Sequence, residues 1–302
     1  MTSVLVTGAG GFIGSALLAS GPRWDIHAVS RTEPSVEVAR WIALDTVRKA
    51  AGTIEGPFDA VVHLAGNADH AISERAPWLD AEATAVLAAE ILGRTKAAHL
   101  VVLSSAAVYA GNEGEVGPST PLDPRMPYAL SKLYVEGLAR ALQDRGRFDS
   151  LTVLRLYNAF GPGERSTRLV PRVALAARSG APFRLTGSPS SLADPLYVDD
   201  VVRSLIAAVA VRPSGTYDLC GGKAKPLSEQ VPIISRALGY GELPVVMEPN
   251  PGEVPIRFWS EPTGTWRALG LESPEPFNLA VRRYGQAMGW LRVSQDDQAP
   301  VA

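Results

Sequence analysis

The stretch TSVLVTGAGGFIGS, Thr2–Ser15, decides the fold. Ser3 to Thr7 is a short apolar run rich in strand-forming residues, and Phe12 to Ala19 has the composition of a helix. Between and within them stand Gly8, Gly11 and Gly14. A glycine at position 8 can make a tight turn, one at 11 lets a diphosphate approach the backbone, and one at 14 lets the helix pack closely on the strand. Unpaired amides at the start of that helix favour a negative charge. The reading is a strand, a phosphate-binding turn and a helix, with Gly8, Gly11, Phe12, Ile13 and Gly14 as the expected contacts of a dinucleotide. The first two glycines are separated by two residues instead of the usual one, and a glycine-rich loop without a ligand is the competing reading.

Outward from this unit the pattern repeats. Asp25 to Val29 reads as a second strand, Ala60 to Leu64 as a later one, Ala81 to Leu92 as an alanine-rich helix, and His99 to Ser104 as another strand. Tyr128 to Gln143 has helical spacing, with Leu130, Leu133, Tyr134 and Leu138 expected to face the sheet, and Ser150 to Leu156 resumes a strand. This alternation predicts an α/β protein with a Rossmann-type doubly wound parallel sheet. After Gly161 glycine, proline and arginine become frequent, with helices expected at Val170 to Ser179, Tyr197 to Val211, Ser228 to Leu238 and Pro276 to Met288. Pro232 is expected to confine the third of these mainly to the residues that follow it. Residues 1–160 are read mainly as the cofactor-binding domain. Residues 161–302 are read mainly as a smaller C-terminal substrate-binding region, with a segment near 190–225 returning to the first domain.

The second strand ends in Ser30-Arg31, where a dinucleotide fold often carries an acidic group for the ribose hydroxyls. Arg31 can attract an added ribose phosphate, with Ser30 as a small hydrogen-bonding neighbour, or it is simply an exposed strand-end arginine. NADP is therefore preferred and NAD retained, because Glu33 lies close by. Asp45 can contact the adenine side of the cofactor or cap a local turn.

The chain has 302 residues, 29 basic and 31 acidic, and no long block of either sign, so neither nucleic acid nor an anionic membrane is an expected partner. Cys220 is the single cysteine, which excludes an intrachain disulfide and suits a reducing compartment. No basic leader with a long apolar core begins the chain, and no uninterrupted apolar run of membrane-spanning length follows, so a cytoplasmic protein is expected. His27, His63, His70 and His99 are dispersed and show no zinc spacing, so no metal is expected.

Ser104 and Ser105 lie at the end of a predicted central strand, a common ligand-binding position. Tyr128 and Lys132, four residues apart in PYALSK, share one helical face. A lysine ammonium there favours the tyrosinate, which turns a poor base into a usable proton donor and acceptor. Ser105 can orient a carbonyl or alcohol oxygen, and Lys132 can also hold the nicotinamide-side ribose.

In order, TGAGGFIG, VVHLAG, LSSAAVY, PYALSK, RLYNAFGPGE and YVDDV resemble the extended short-chain dehydrogenase/reductase superfamily, in particular its NAD(P)-dependent epimerase/dehydratase branch acting on nucleotide sugars. The resemblance implies that Ser105, Tyr128 and Lys132 are a catalytic triad and that Leu64, Ala65 and Gly66 border the cofactor. It also implies that Tyr157 approaches the nicotinamide, and that Ala106 and Asn158 join Ser105 and Tyr128 at the substrate. Arg168, with Arg165 and Arg172, lies in the variable substrate region, where it can bind a phosphate or carboxylate of the substrate or simply make a solvated surface contact. Departures bear on the reaction. Ala193 stands where many relatives carry arginine, the usual asparagine of the helix before the triad strand is replaced near Ala81, and Ser105-Ala106-Ala107 lacks the acidic pair of the dehydratases. The implied activity is oxidation and reduction, or epimerisation, at a hydroxyl or keto carbon of a nucleotide-linked sugar. The alternatives are an NADPH-dependent 4-ketoreductase of a nucleotide deoxysugar in secondary metabolism, and a noncatalytic dinucleotide-binding regulatory protein. Relatives often pair helices around the triad-bearing segment, so Leu87 to Leu92 and Tyr134 to Leu142 can contribute to a homodimer surface, or they only cover the sheet.

Overall fold

Strand β1, Thr2–Thr7, forms the middle of a seven-stranded sheet. Val4 and Val6 pack into one hydrophobic cluster and Leu5 into another, so both faces of the strand are covered. The computed structural model describes residues 1–49, 54, 56–248, 250 and 255–292. The other strands of this sheet are β2 (Trp24–Ser30), β3 (Arg40–Ala43), β4 (Phe58–His63), β5 (Ala97–Ser105), β6 (Phe148–Leu156) and β7 (Gly215–Leu219). Their order is β7-β6-β5-β4-β1-β2-β3, and every neighbouring pair is parallel. The chain leaves β1 toward β2 and β3 and then crosses to β4 on the other side. The C-terminal ends of β1 and β4 therefore border the crevice that such a reversal opens.

Helices cover both faces. Leu17 and Leu18 of helix Phe12–Ala19, with Val201, Val202 and Leu205 of helix Val198–Val211, close the first. Leu87, Ile91 and Leu92, with Val135, Ala139 and Leu142, close the second. The protein thus has the α/β, Rossmann-type doubly wound architecture. Apart from the sheet, Phe160, Val173, Phe183, Ile234, Val281 and Tyr284 form a core that gathers helices Leu169–Ser179, Leu227–Ala237 and Phe277–Ala287. Among the described residues no helix is long and apolar enough to cross a membrane.

Five expectations need correction. In helix Pro127–Asp144, Leu130 and Tyr134 point outward, while the buried face is Tyr128, Ala129, Ser131, Lys132, Val135, Glu136, Ala139 and Leu142. Hydrophobicity misassigned that face because its inner side is polar. Pro232 lies inside helix Leu227–Ala237 instead of bounding it. Burial of Val231 and Ile234, and the bonds from Gln230 Nε2 to the carbonyls of Ala193 and Lys225, outweigh the one helical bond that proline forfeits. Tyr197 ends the short strand Pro195–Tyr197, and its helix starts at Val198. Finally, the helical rod leading to β5 begins at Pro77 and contains a π-helical turn, Glu82–Val86, before Leu87–Leu92. Leu87, Ala88, Ile91 and Leu92 are buried on the sheet, so they do not supply a surface for a partner.

Candidate functional site

At the end of β1 the backbone turns through Gly8, whose φ of 73° is in the left-handed region. A Cβ at Gly8 would lie 2.7 Å from the Ala65 nitrogen, and one at Gly14 would lie 2.2 Å from the Gly8 carbonyl oxygen. Neither position has room for a side chain, because the turn, the helix and the loop after β4 meet there. Gly11 is the N-cap of helix Phe12–Ala19, and no side chain caps it. The amides of the first turn at Phe12 and Ile13 are thus available to an anion, and the donor set fits the diphosphate of a dinucleotide.

Ser30 ends β2 beside this turn. Its hydroxyl donates to the Thr32 carbonyl at 2.6 Å and accepts from Trp41 Nε1 at 3.1 Å. Arg31 is exposed next to it. Asp45 is exposed in the first turn of the short helix Leu44–Lys49, after β3. These three residues lie outside the cavity that holds the strand-end serine.

That cavity, about 400 Å³, opens over the C-terminal ends of β4, β5 and β6. Ser105, Tyr128 and Lys132 all line it, as do Ala106, Asn158 and Arg168, with Leu64 and Gly66 from β4's end and Phe12 from the glycine-turn helix. Ser105 ends β5, and its hydroxyl accepts from the Ala107 amide at 3.2 Å, which starts the 3-10 turn Ala106–Tyr109. The Lys132 ammonium donates to the Leu103 carbonyl at 3.3 Å and lies 5.8 Å from the centroid of the Tyr128 ring. A phenol and a cation held together at the end of a strand bearing a hydroxyl can stabilise an oxygen of changing charge and exchange its proton. Tyr157 also lines the cavity. Its ring meets Phe258 edge to face, and burial, then the nearby Asp218, pushes its phenol far above the usual range. A larger hollow of about 940 Å³ between helices Phe12–Ala19 and Val198–Val211 contains none of Ser105, Tyr128 and Lys132.

Several groups escaped the sequence reading. His70, the first residue of helix His70–Arg75, lies against the Tyr128 ring, with centroids 4.5 Å apart. Its loop is held by Asn67, whose Nδ2 donates to Ser73 Oγ and to Asp80 Oδ1, while Thr84 Oγ1 accepts from the Asn67 amide. The polar groups of the DAEAT stretch that serve this loop are thus Asp80 and Thr84, not the position of Ala81. Asp69 caps the same helix and receives Arg165 Nη1 at 2.6 Å, which joins this loop to the one after Phe160. Arg168 reaches the Ala68 carbonyl at 3.4 Å. Burial pushes the Glu164 carboxyl up to about 7, against a bond from the Gly161 amide. A polar loop just after a buried strand end was the available signal for Asn67 and His70. None existed for Ile256 and Phe258, which reach the cavity from far along the chain.

With this geometry in view, the model described as the NAD dependent epimerase/dehydratase family matches residues 4–220. A dTDP-4-dehydro-6-deoxy-D-allose reductase of Streptomyces bikiniensis is 28% identical over 274 residues, which cover 80% of this chain and 82% of that protein. A probable dTDP-glucose 4,6-dehydratase of Sinorhizobium fredii (strain NBRC 101917 / NGR234) is 28% identical over 185 residues, or 57% of this chain. The chain spans about half, 51%, of the length of that dehydratase. Among solved structures, MoeE5 in complex with UDP-glucose and NAD superposes with a TM-score of 0.81 at 25% identity, over 95% of this chain and 98% of that one.

Proposed function

The chain belongs to the NAD dependent epimerase/dehydratase family, and on that premise we propose that it oxidises and reduces, or epimerises, a hydroxyl or keto carbon of a nucleotide-linked sugar with NAD(P). The observation that carries this reading is the single cavity shared by Ser105, Tyr128 and Lys132 with Asn158 and Arg168, bordered by the glycine turn through Phe12. When bound, a nicotinamide dinucleotide supplies or takes up the hydride. Gly8, Gly11, Phe12, Ile13 and Gly14 would hold its diphosphate, and Leu64, Ala65, Gly66 and Tyr157 would border it. Ser105 orients the substrate oxygen, Tyr128 gives or takes the proton on that oxygen, and Lys132 holds both the phenol and the ribose in place. Asn158 and Arg168 bind the nucleotide-sugar phosphates. Residues 161–302, apart from the segment near 190–225, serve as the substrate-binding region.

The decisive experiment incubates the purified protein with NADH or NADPH, or their oxidised forms, and a panel of nucleotide sugars, and identifies products by mass and stereochemistry. Turnover of a panel member that Tyr128→Phe abolishes supports the reading; undiminished turnover in Tyr128→Phe removes it.

A second reading, an NADPH-dependent 4-ketoreductase of a deoxysugar nucleotide, is favoured by the end of β2, where Arg31 is exposed and neither Ser30 nor Arg31 offers a carboxylate. Stoichiometric consumption of NADPH distinguishes it from an epimerase, which forms an isomer with no net consumption.

A cytoplasmic homodimer is part of the proposal. Trp78, Leu79 and Val86 on one helical rod, with Leu130 and Tyr134 on helix Pro127–Asp144 packed beside it, are all exposed. A run of large apolar side chains across two adjacent helices suits a matching pair from a second copy.

A further inference from the structure

Directly behind the cavity a guanidinium and a carboxylate are buried together. Arg155 on β6 donates from Nε to Glu136 Oε1 at 2.9 Å and from Nη2 to Oε2 at 2.7 Å, a two-point fork between residues that are 2% and 0% exposed. Burial alone would raise the Glu136 carboxyl, but the Arg155 bonds and charge outweigh it and hold the group below its usual value, so it is ionised. Ser104 Oγ, next to Ser105, donates to Glu136 Oε1 at 2.6 Å, and Arg140 Nη2 reaches Oε2 at 3.1 Å. The remaining nitrogen, Arg155 Nη1, donates to the Tyr109 hydroxyl at 2.5 Å, which in turn faces Asp218 Oδ1 at 3.0 Å.

The place of this cluster gives it meaning. Tyr128, Lys132 and Glu136 follow one another at four-residue intervals along one edge of helix Pro127–Asp144. Much of the rest of the face turned to the sheet is small or short: Ala129, Ser131, Val135 and Ala139. Such side chains bury area but resist sliding along β5 only weakly, because no large knob fills a matching hole. A forked charge pair is directional and does resist it. Glu136 is thereby tied at one oxygen to the residue preceding Ser105 and at both oxygens to β6.

We propose that Arg155 is a positioning residue, which through Glu136 sets the register of the Tyr128–Lys132 helix against the strand that carries Ser105. This rests on the reading that those three residues carry the chemistry. Stability alone is a weak reason for the pair, since well-packed apolar residues commonly replace buried ion pairs without loss of stability. Displacements of about 1 Å, by contrast, can cost about a hundredfold in rate.

The test uses the full chain labelled with 3-fluorotyrosine and saturated with NADPH. The variants are Ser104→Ala/Glu136→Leu/Arg155→Met, which removes one charge of each sign and leaves no orphaned partner on Ser104, and Arg155→Lys, which keeps the charge and loses the fork. The fluorine resonance of Tyr128 is identified by its disappearance in Tyr128→Phe. Turnover is followed with dTDP-4-keto-6-deoxyglucose and NADPH, or with UDP-glucose and NAD. The expected result is a folded triple variant whose Tyr128 resonance has moved, whose KM and dinucleotide Kd stay within about twofold, and whose kcat falls at least about tenfold. Arg155→Lys moves the same resonance and lowers kcat in the same direction. An unmoved Tyr128 resonance in the folded triple variant, or Arg155→Lys matching the parent, overturns the positioning role alone. If the triple variant does not fold, Arg155→Lys decides by the same resonance. Parental turnover in Tyr128→Phe overturns the catalytic reading, and the positioning role with it.

Discussion

The imidazole of His70 rests on the ring of Tyr128, centroids 4.5 Å apart and planes inclined by 41°. His70 starts a short helix whose N-cap, Asp69, is bonded to Arg165 from the loop after Phe160. The Tyr128 ring, in the lining of the cavity, is thus braced by the loop after β4. Burial, followed by the nearby Arg168, lowers the pKa of His70 below its ordinary value, so the imidazole resting on Tyr128 is neutral near pH 7. Replacing His70 with Ala is expected to lower kcat/KM about three- to tenfold without a change in dinucleotide affinity, the scale of one lost aromatic contact. Steady-state kinetics on a panel substrate check it, and parental kcat/KM would show that the contact does not matter to the chemistry.

Glu164 lines the same cavity, and burial pushes its carboxyl up to about 7. It is neutral at pH 6 and anionic at pH 8, where it would repel the diphosphate of the proposed nucleotide-sugar substrate. KM is expected to rise about three- to tenfold between those values, and Glu164→Gln is expected to flatten the rise. A profile that is the same in both proteins would remove Glu164 from substrate binding.

Selection between the two dinucleotides is expected to depend on Arg31. Arg31→Ala should weaken NADPH about tenfold, as loss of one charge-assisted contact does, and leave NADH within about twofold. Fluorescence titration of both cofactors provides the measurement. An equal effect on both, or on neither, would assign Arg31 to the solvent.

Acid stability has a definite sign. Burial, then the charge of Lys132, lowers the His63 pKa to about 3, and burial, then Arg212, lowers that of His99 to about 4. Each is neutral when folded and takes up a proton when unfolded, so its contribution is complete above pH 6.5. It is lost as pH falls from there toward the folded value, by up to about 1.4 kcal/mol per pH unit for each group. Urea titrations between pH 7 and 4 should show this fall, with a shallower slope in His99→Gln. A stability independent of pH over that window would contradict both assignments.

The exposed apolar strip is expected to hold two copies together. Leu130→Glu/Tyr134→Glu should convert a dimer to a monomer in sedimentation velocity while leaving the melting temperature of the subunit nearly unchanged, because both side chains face outward. A parent protein that is already monomeric at micromolar concentration would dispose of the dimer.

What local chemistry alone can announce was readable along the chain. The strand, glycine turn and helix at Thr2–Ser15 obey short-range rules of steric room and hydrogen bonding, and the alternation of apolar runs with helical spacing leads to a parallel sheet. Tyr128 and Lys132 share one helical face and Ser105 ends a strand, and the family resemblance implies that the three meet; one cavity brings them together. Tertiary packing decided the rest. Leu130 and Tyr134 face outward because the inner side of their helix is taken by Lys132 and Glu136, whose buried charges are tolerable only opposite the Leu103 carbonyl and Arg155. Pro232 stays inside a helix because neighbours distant in sequence bury its flanks. His70 on Tyr128, and Phe258 on Tyr157, are pairings across long stretches of chain. Composition and periodicity carry no information about such partners, because only closure of the fold brings them within contact distance.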